Sequence, residues 1–308
     1  MNESAVFRSS GVAGPAFGHN RMVIETLEPA AHGRGQSYRE RAPAADLAPH
    51  LTCAWVQRVA PDSGPYEHHT IPNASVELSC ELGSLPRVIG PQSGPLVQFN
   101  GPGSIVVGAR IRPGAASSIL GLPASELLDL TVGLEELWGE TAHRLGEEIA
   151  EAGSPGTAAS LLEWAVLDRV RGAGGLDPLV TGAVELLLPG RSTEVGSLSS
   201  SLYISERQLR RRLLAEVGFG PKVVHRILRF QGFLALAHAR GLGVADVGEL
   251  AADSGYADQP HLTRESLRLS GKPPRALLDD ADRNCRGLHD HTPSFVPLLP
   301  AHALPRAA

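Results

Sequence analysis

Four arginines fall within six residues, at Arg207, Arg210, Arg211 and Arg212. A guanidinium neutralises phosphate and also meets the O6/N7 edge of guanine through two parallel hydrogen bonds. A cluster of them at the start of one helix therefore has the chemistry of nucleic-acid recognition. Leu209, Leu213 and Val217 recur at i, i+4, i+8 and form a single apolar stripe. That stripe leaves Arg207 and Arg211 on roughly the opposite side, with Arg210 and Arg212 on the flanks. A solvated basic face is the commoner meaning of a charge run. The argument against it here is a second set further along, where Gln259, His261, Arg264 and Arg268 face outward and Leu262 and Leu269 inward.

Each set needs an element to hold it. Residues 194–217 read as a short helix, a turn and a second helix opening on Ser205, with Gln208 completing an S-x-x-Q capping box. Residues 244–269 repeat the design with Asp258 as the cap and Pro260 in the first turn, where a missing N–H costs little. Between them residues 221–239 read as one helix, with Pro221 at its start and Gly241 beyond its end. Nineteen residues span about 28 Å, comparable with one DNA turn of about 34 Å. Two recognition helices at that separation are expected to enter successive major grooves.

From 177 to 278 the chain resembles the AraC/XylS family of bacterial transcription regulators. The resemblance rests on S-E-R-Q-L-R-R-R-L at 205–213, G-F-G-P-K at 218–222, R-I-L-R-F-Q at 226–231, A-D-S-G-Y-A-D-Q-P-H-L-T-R-E at 252–265 and G-K-P-P at 271–274. It implies sequence-specific binding to double-stranded promoter DNA and an influence on RNA polymerase. It also implies base and phosphate contacts at Arg207, Arg210 and Arg211 in the first unit, and at Gln259, His261 and Arg264 in the second. Arg212, on the flank of the same helix, joins the expected DNA-binding set. Two departures stand out: Leu213 and Ser266 occupy places where the family usually packs phenylalanine, and Pro260 replaces a small or polar residue. Ser266 implies a second unit packed less tightly than the first.

Upstream the pattern changes from helical to alternating. Five apolar stretches, LTCAWVQRV, SVELSCEL, RVIG, LVQF and SIVVGARIRP, lie between Gly/Pro punctuation from Tyr38 to about Pro113. In the last, Ile105, Val107, Ala109 and Ile111 share one face. Helices are expected at about 124–130, 134–152 and 157–172. The stripe Leu134, Leu137, Trp138, Leu145, Ile149 suits either a dimer seam or packing on the strands, and Trp55 and Trp138 suit core or interface. The fold class is therefore α+β: a mostly β barrel or sandwich with trailing helices, followed by an all-α domain of two helix-turn-helix units. The patterns around Trp55, from His69 to Leu78 and from Val107 to Ala115 resemble the N-terminal domain paired with this module in many actinobacterial regulators. That implies a sensor domain and names no ligand. The expected boundaries are 1–37 and 281–308 without regular structure, 38–172 for the regulatory or dimerisation domain and 173–280 for the DNA-binding domain.

Charge agrees once it is divided. The net charge is −5 over 308 residues, yet residues 190–280 carry thirteen Lys/Arg against ten Asp/Glu. A basic module on an acidic body suits a protein that touches phosphate at one end only. Cys53, Cys80 and Cys285 form no CxxC pair, so neither a disulfide framework nor structural zinc is indicated. His68 and His69, adjacent on a strand, point to opposite faces, and Glu77 and Cys80 differ in parity, so no metal or other cofactor is expected. His289-Asp290-His291 reads as tail composition. Arg110 and Arg112 share a strand face and could meet an anionic effector; the simpler reading is a solvated pair at the rim. No run of about 20 apolar residues exists, so a cytoplasmic protein away from membranes is expected. The expected function is a non-enzymatic transcription regulator controlled by an unknown small molecule or partner, with a homodimer possible. The competing classes are a barrel enzyme or metal-binding sensor that uses the helices only for targeting, and a structural protein that never binds DNA. A DNA alkyl-repair protein needs four clustered cysteines, which the chain lacks.

Overall fold

The computed structural model describes residues 35–191, 195–242, 246–285 and 288–299. Its first part holds β1 (Gln36–Arg41), β2 (Leu51–Val59), β3 (Tyr66–Thr70), β4 (Val76–Glu81), β5 (Arg87–Ile89), β6 (Leu96–Asn100), β7 (Ile105–Ile111) and β8 (Thr131–Gly133). A last strand, β9 (His289–Asp290), comes from near the end of the chain. Seven strands form one sheet in the order β8-β5-β4-β7-β2-β1-β9, and β3 pairs with β6 as a separate two-stranded ribbon. All pairings are antiparallel except β1 with β9.

Strand parity divides the sheet into two chemically different faces. Ala54, Val56, Leu78, Cys80, Val107, Ala109 and Ile111 point to one side and form the main core of this domain. Helices α1 (Ala116–Leu120), α2 (Glu135–Trp138), α3 (Glu140–Ala150) and α4 (Pro155–Gly172) follow the strands. Leu134, Trp138, Leu145, Ile149 and Leu162 bring their apolar residues onto that core. The stripe that could have served a dimer seam is thus consumed inside the protomer. The helix expected over 134–152 is broken at Gly139, whose φ of 55° and ψ of −131° no helix allows. A buried ion pair of Arg41 with Glu163, joined by the Ser160 hydroxyl, fastens β1 to α4.

The opposite face carries Tyr38, Glu40, Cys53, Trp55, Gln57, Glu77 and Arg110, as the pairings of Tyr38 with Gln57, Glu40 with Trp55 and Glu77 with Arg110 require. The ribbon covers part of it: Asn100 Nδ2 donates to Gln57 Oε1 at 3.0 Å, and Gln57 Nε2 lies 3.3 Å from His68 Nδ1. The expected β-rich domain is present, as a seven-stranded sheet with a two-stranded ribbon laid over one face. β2 is covered on both sides, which explains its nearly unbroken apolar sequence.

The remaining helices are α5 (Pro178–Leu186), α6 (Leu198–Ser201), α7 (Glu206–Val217), α8 (Pro221–Arg240), α9 (Val247–Asp253), α10 (Gln259–Ser270), α11 (Pro274–Cys285) and α12 (Thr292–Phe295). They surround a core centred on Phe230 and Phe233 of α8. Two expectations are corrected here. Strand β1 begins within the segment expected to lack structure. The tail expected to be irregular from 281 continues α11 to Cys285, and residues 288–299 return to pair with β1, pack α12 against α8 and bury Leu298. Composition marks such a segment as irregular because its partners are hundreds of residues away. The expected ends at Glu194 and Val244, and residues 1–34 and 300–308, lie outside the described residues.

Gly108 sits directly under the Trp55 indole, where a Cβ would come within 2.2 Å of ring atoms. Gly108→Ala is expected to displace that ring and cost about 1–3 kcal/mol, measured as a lower urea midpoint with a shifted tryptophan emission.

Candidate nucleic-acid interface and adjoining cavity

α6 and α7 form the first helix-turn-helix unit, and α9 and α10 the second. Both recognition helices start on formed caps. The Ser205 hydroxyl accepts from Gln208 N–H while the Gln208 side chain accepts from Ser205 N–H, a complete capping box. Asp258 accepts from His261 N–H at 2.7 Å. Gly218 and Gly271, at φ 84° and 72°, close the two helices.

On α7, Leu209, Leu213 and Val217 are buried as their spacing predicts, and Arg207, Arg210 and Arg211 are exposed. None of these three arginines makes an ion pair among the described residues. Arg212 is half-buried and paired with Asp177, the cap of α5, so its charge fastens the module together. On α10, Gln259 and Arg264 are exposed, whereas His261 is half-buried with its ring edge-on to Tyr256 at 5.3 Å. Ser266 is fully buried, and its hydroxyl donates to the Lys272 carbonyl at 2.7 Å. The position where the resemblance implies loose packing is thus tied by a hydrogen bond to the chain beyond the helix.

α8 is the common strut. Its twenty residues span about 30 Å. Arg226 pairs with Glu265 at 2.9 Å, Arg229 stacks over Tyr256 at 4.4 Å and Arg240 pairs with Asp253, so three cations of α8 hold the second unit. The first unit meets the sheet domain instead: Ser117 donates to Glu216, and Pro91 packs against Gly218.

Residues 198–280 match the family model described as a helix-turn-helix domain. They form an AraC-type helix-turn-helix module. With the AraC-type module, the chain is a DNA-binding transcriptional regulator. Residues 39–133 match a domain of unknown function, DUF6597. Similar solved structures include an apo variant of ToxT from Vibrio cholerae, 11% identical, with a TM-score of 0.42 over 78% of this chain and 99% of that one. A second ToxT structure is 10% identical, with a TM-score of 0.41 over 79% and 98%. A third, of ToxT with unsaturated fatty acid bound, is 11% identical, with a TM-score of 0.37 over 79% and 93%. No curated protein matches the sequence.

Behind the AraC-type module a cavity of about 200 Å³ lies between the polar face of the sheet, α8, α11 and the returning chain end. Arg110 is its electrostatic centre. Its Nε donates to Glu77 at 2.8 Å, Nη1 to Glu40 at 2.9 Å and Nη2 to the Tyr38 hydroxyl at 3.2 Å. Burial opposes the guanidinium charge, but Glu77, Glu40 and their neighbours outweigh it and hold the proton more firmly than usual. Burial likewise opposes the Glu40 carboxylate, yet Arg110, His291 and Ser294 bring it down to about 2. The backbone N–H of Ser294 donates to Glu40 Oε2 at 3.0 Å. Arg110 is therefore no solvated rim residue. Arg112 donates to the Leu51 carbonyl at 3.1 Å and shares with Arg110 the wall of a smaller neighbouring cavity of about 130 Å³.

Sequence reading missed Tyr38, Glu40, His238, His289 and His291 as a group. The one available signal was the alternation of Gln36, Tyr38 and Glu40. The His291 ring stacks on Tyr38 at 4.8 Å and meets His238 edge-on at 5.3 Å. Among the described residues no group of three metal-ligating side chains is arranged to hold an ion, and no helix is long and apolar enough to cross a membrane.

Burial pushes the imidazoles of His68, His238 and His289 down to about 4, 3 and 3. Unfolded histidine titrates near 6.5, so the unfolded chain takes up more protons below that pH. The stability of this region is therefore fully present above about pH 6.5 and is lost as pH falls toward 4. A lower Tm is expected at about pH 5 than at about pH 7.5. His238→Phe, which keeps a ring against His291 and Phe295 near Glu40, should shrink that difference.

Proposed function

We propose that this regulator binds promoter DNA sequence-specifically by inserting α7 and α10 into successive major grooves, and that a small molecule held between sheet and helices sets its DNA affinity. The observation that carries the reading is the set of Arg207, Arg210 and Arg211, exposed and without ion pairs among the described residues, at the capped start of a helix. Phosphate neutralisation positions the module, while arginine and Gln259 read base edges. Arg264 adds a second-unit contact. His261, partly packed on Tyr256, contributes from its exposed edge. Both recognition units lie in one chain, so the reading needs no second copy. RNA polymerase is the further partner on which such a regulator acts.

Control by a small molecule is supported by the cavity's walls. Gln231, Leu234 and His238 come from the strut that carries the second unit, while Trp55 and Arg110 come from the sheet. An occupant would touch both, and differential contact is what ligand control requires.

Selection of genomic fragments by the purified protein at physiological salt should return a motif of two short blocks about 10 base pairs apart. Absence of any enriched sequence, with residues 173–280 alone as well as with the full chain, would reject the reading. Arg211→Ala should cost about 1–3 kcal/mol and relax preference at one position. A uniform loss on all sequences would instead make Arg211 a phosphate contact.

A further inference from the structure

The inference here deepens the proposed small-molecule control and rests on it: the chemistry of the cavity walls defines the class of ligand. The charged groups come first. All three nitrogens of Arg110 are engaged, by Glu77, Glu40 and Tyr38. In the same lining Lys272 donates to Asp280 at 2.6 Å, His291 lies 3.8 Å from Glu40, and His69 lies 2.9 Å from Glu67. Histidines 68, 238 and 289 are held neutral at pH 7 by burial. An anion entering the cavity would meet no unengaged cation in the described walls, and behind Arg110 stands the further carboxylate of Glu40. Burying a charge without such compensation is strongly disfavoured.

Rings, the histidines included, are the largest group in the uncharged surface. Tyr38 and Trp55 lie 5.7 Å apart, tilted by 33°, and Tyr66, His68 and Phe295 extend the lining. Flat aromatic walls favour a flat aromatic occupant. Size agrees, because an apolar cavity of about 150 Å³ accepts benzene, so about 200 Å³ suits a small bicyclic ring system. Trp55 is 5% exposed and its Nε1 is shielded from solvent, so what the indole offers an occupant is ring surface.

We infer that the cavity between the sheet and α8 is a binding site for an uncharged, planar aromatic molecule. Anionic ligands of the same shape are rejected.

The test titrates the full-length protein with coumarin, an uncharged bicyclic ring, and with coumarin-3-carboxylate, the same ring bearing an anion. Calorimetry should give saturable binding of coumarin, with the carboxylate at least about tenfold weaker. The indole N–H resonance of Trp55, assigned from Trp55→Phe, should shift with coumarin. Trp55→Phe, which removes ring surface from the wall, should weaken binding about fivefold. His238→Trp, which places a larger ring in the cavity from the opposite wall, should abolish binding and keeps the test open if Trp55→Phe does not fold. Coumarin that fails to bind, binds both variants as well as the parent, or binds more weakly than its carboxylate overturns the inference. DNA retention measured on the same preparation separates the two readings: lost DNA binding with intact coumarin binding rejects the recognition mechanism and leaves the site standing.

Discussion

Much of the tertiary arrangement depends on one buried carboxylate. Glu40 points from β1 into the polar face of the sheet, with its side chain fully shielded from solvent. An ionised group in that position is tolerable only if it is fully partnered. Arg110 supplies a charge and Tyr38 a hydroxyl, both from the same sheet. The second oxygen is satisfied by Ser294, which arrives from 254 residues further along the chain. Meeting that requirement brings the chain end across the sheet. It seats His289 and His291 against Tyr38 and α12 against α8, and so closes one wall of the cavity. The polar network and the enclosure of the cavity are one structural event.

The helical part is organised by α8 in the same sense. Its apolar side, with Phe230 and Phe233, is the centre of the helical core, and its cations reach the second helix-turn-helix unit. Gln231, from the same helix, donates to the Pro72 carbonyl in the sheet domain at 2.8 Å. One rigid element therefore touches the second recognition unit, the cavity and the sheet. The first unit touches the sheet domain through Glu216 and Gly218 at the far end of α7, which leaves the arginine end exposed.

The parts of this arrangement that were legible in advance share a physical property: they are local. The apolar period of Leu209, Leu213 and Val217, the caps at Ser205 and Asp258, and the Pro221 start of α8 are settled within a few residues. Strands β2 and β7 announced themselves by apolar content and alternation. β1, β3 and β9 did not, because their sequences are polar and they are held by partners distant in the chain. The break at Gly139 was hidden inside a continuous apolar period. Arg212 looked like its three neighbours until Asp177 was placed beside it. Ser266 looked like a packing defect until the Lys272 carbonyl proved to lie within hydrogen-bond reach.

The sequence by itself determined the two capped recognition helices, the strut between them, the arginine display and the change from strand to helix along the chain. Each follows from side-chain periodicity and backbone capping, which act over one or two turns. Only the tertiary structure decided that each nitrogen of Arg110 is engaged, that Glu40 recruits the chain end, and that five histidines from three separate segments gather around one cavity. Those outcomes depend on the cost of burying charge, which is fixed by the partners that meet it. Partners drawn from residues 40, 110 and 294 leave no periodic trace for a sequence to display.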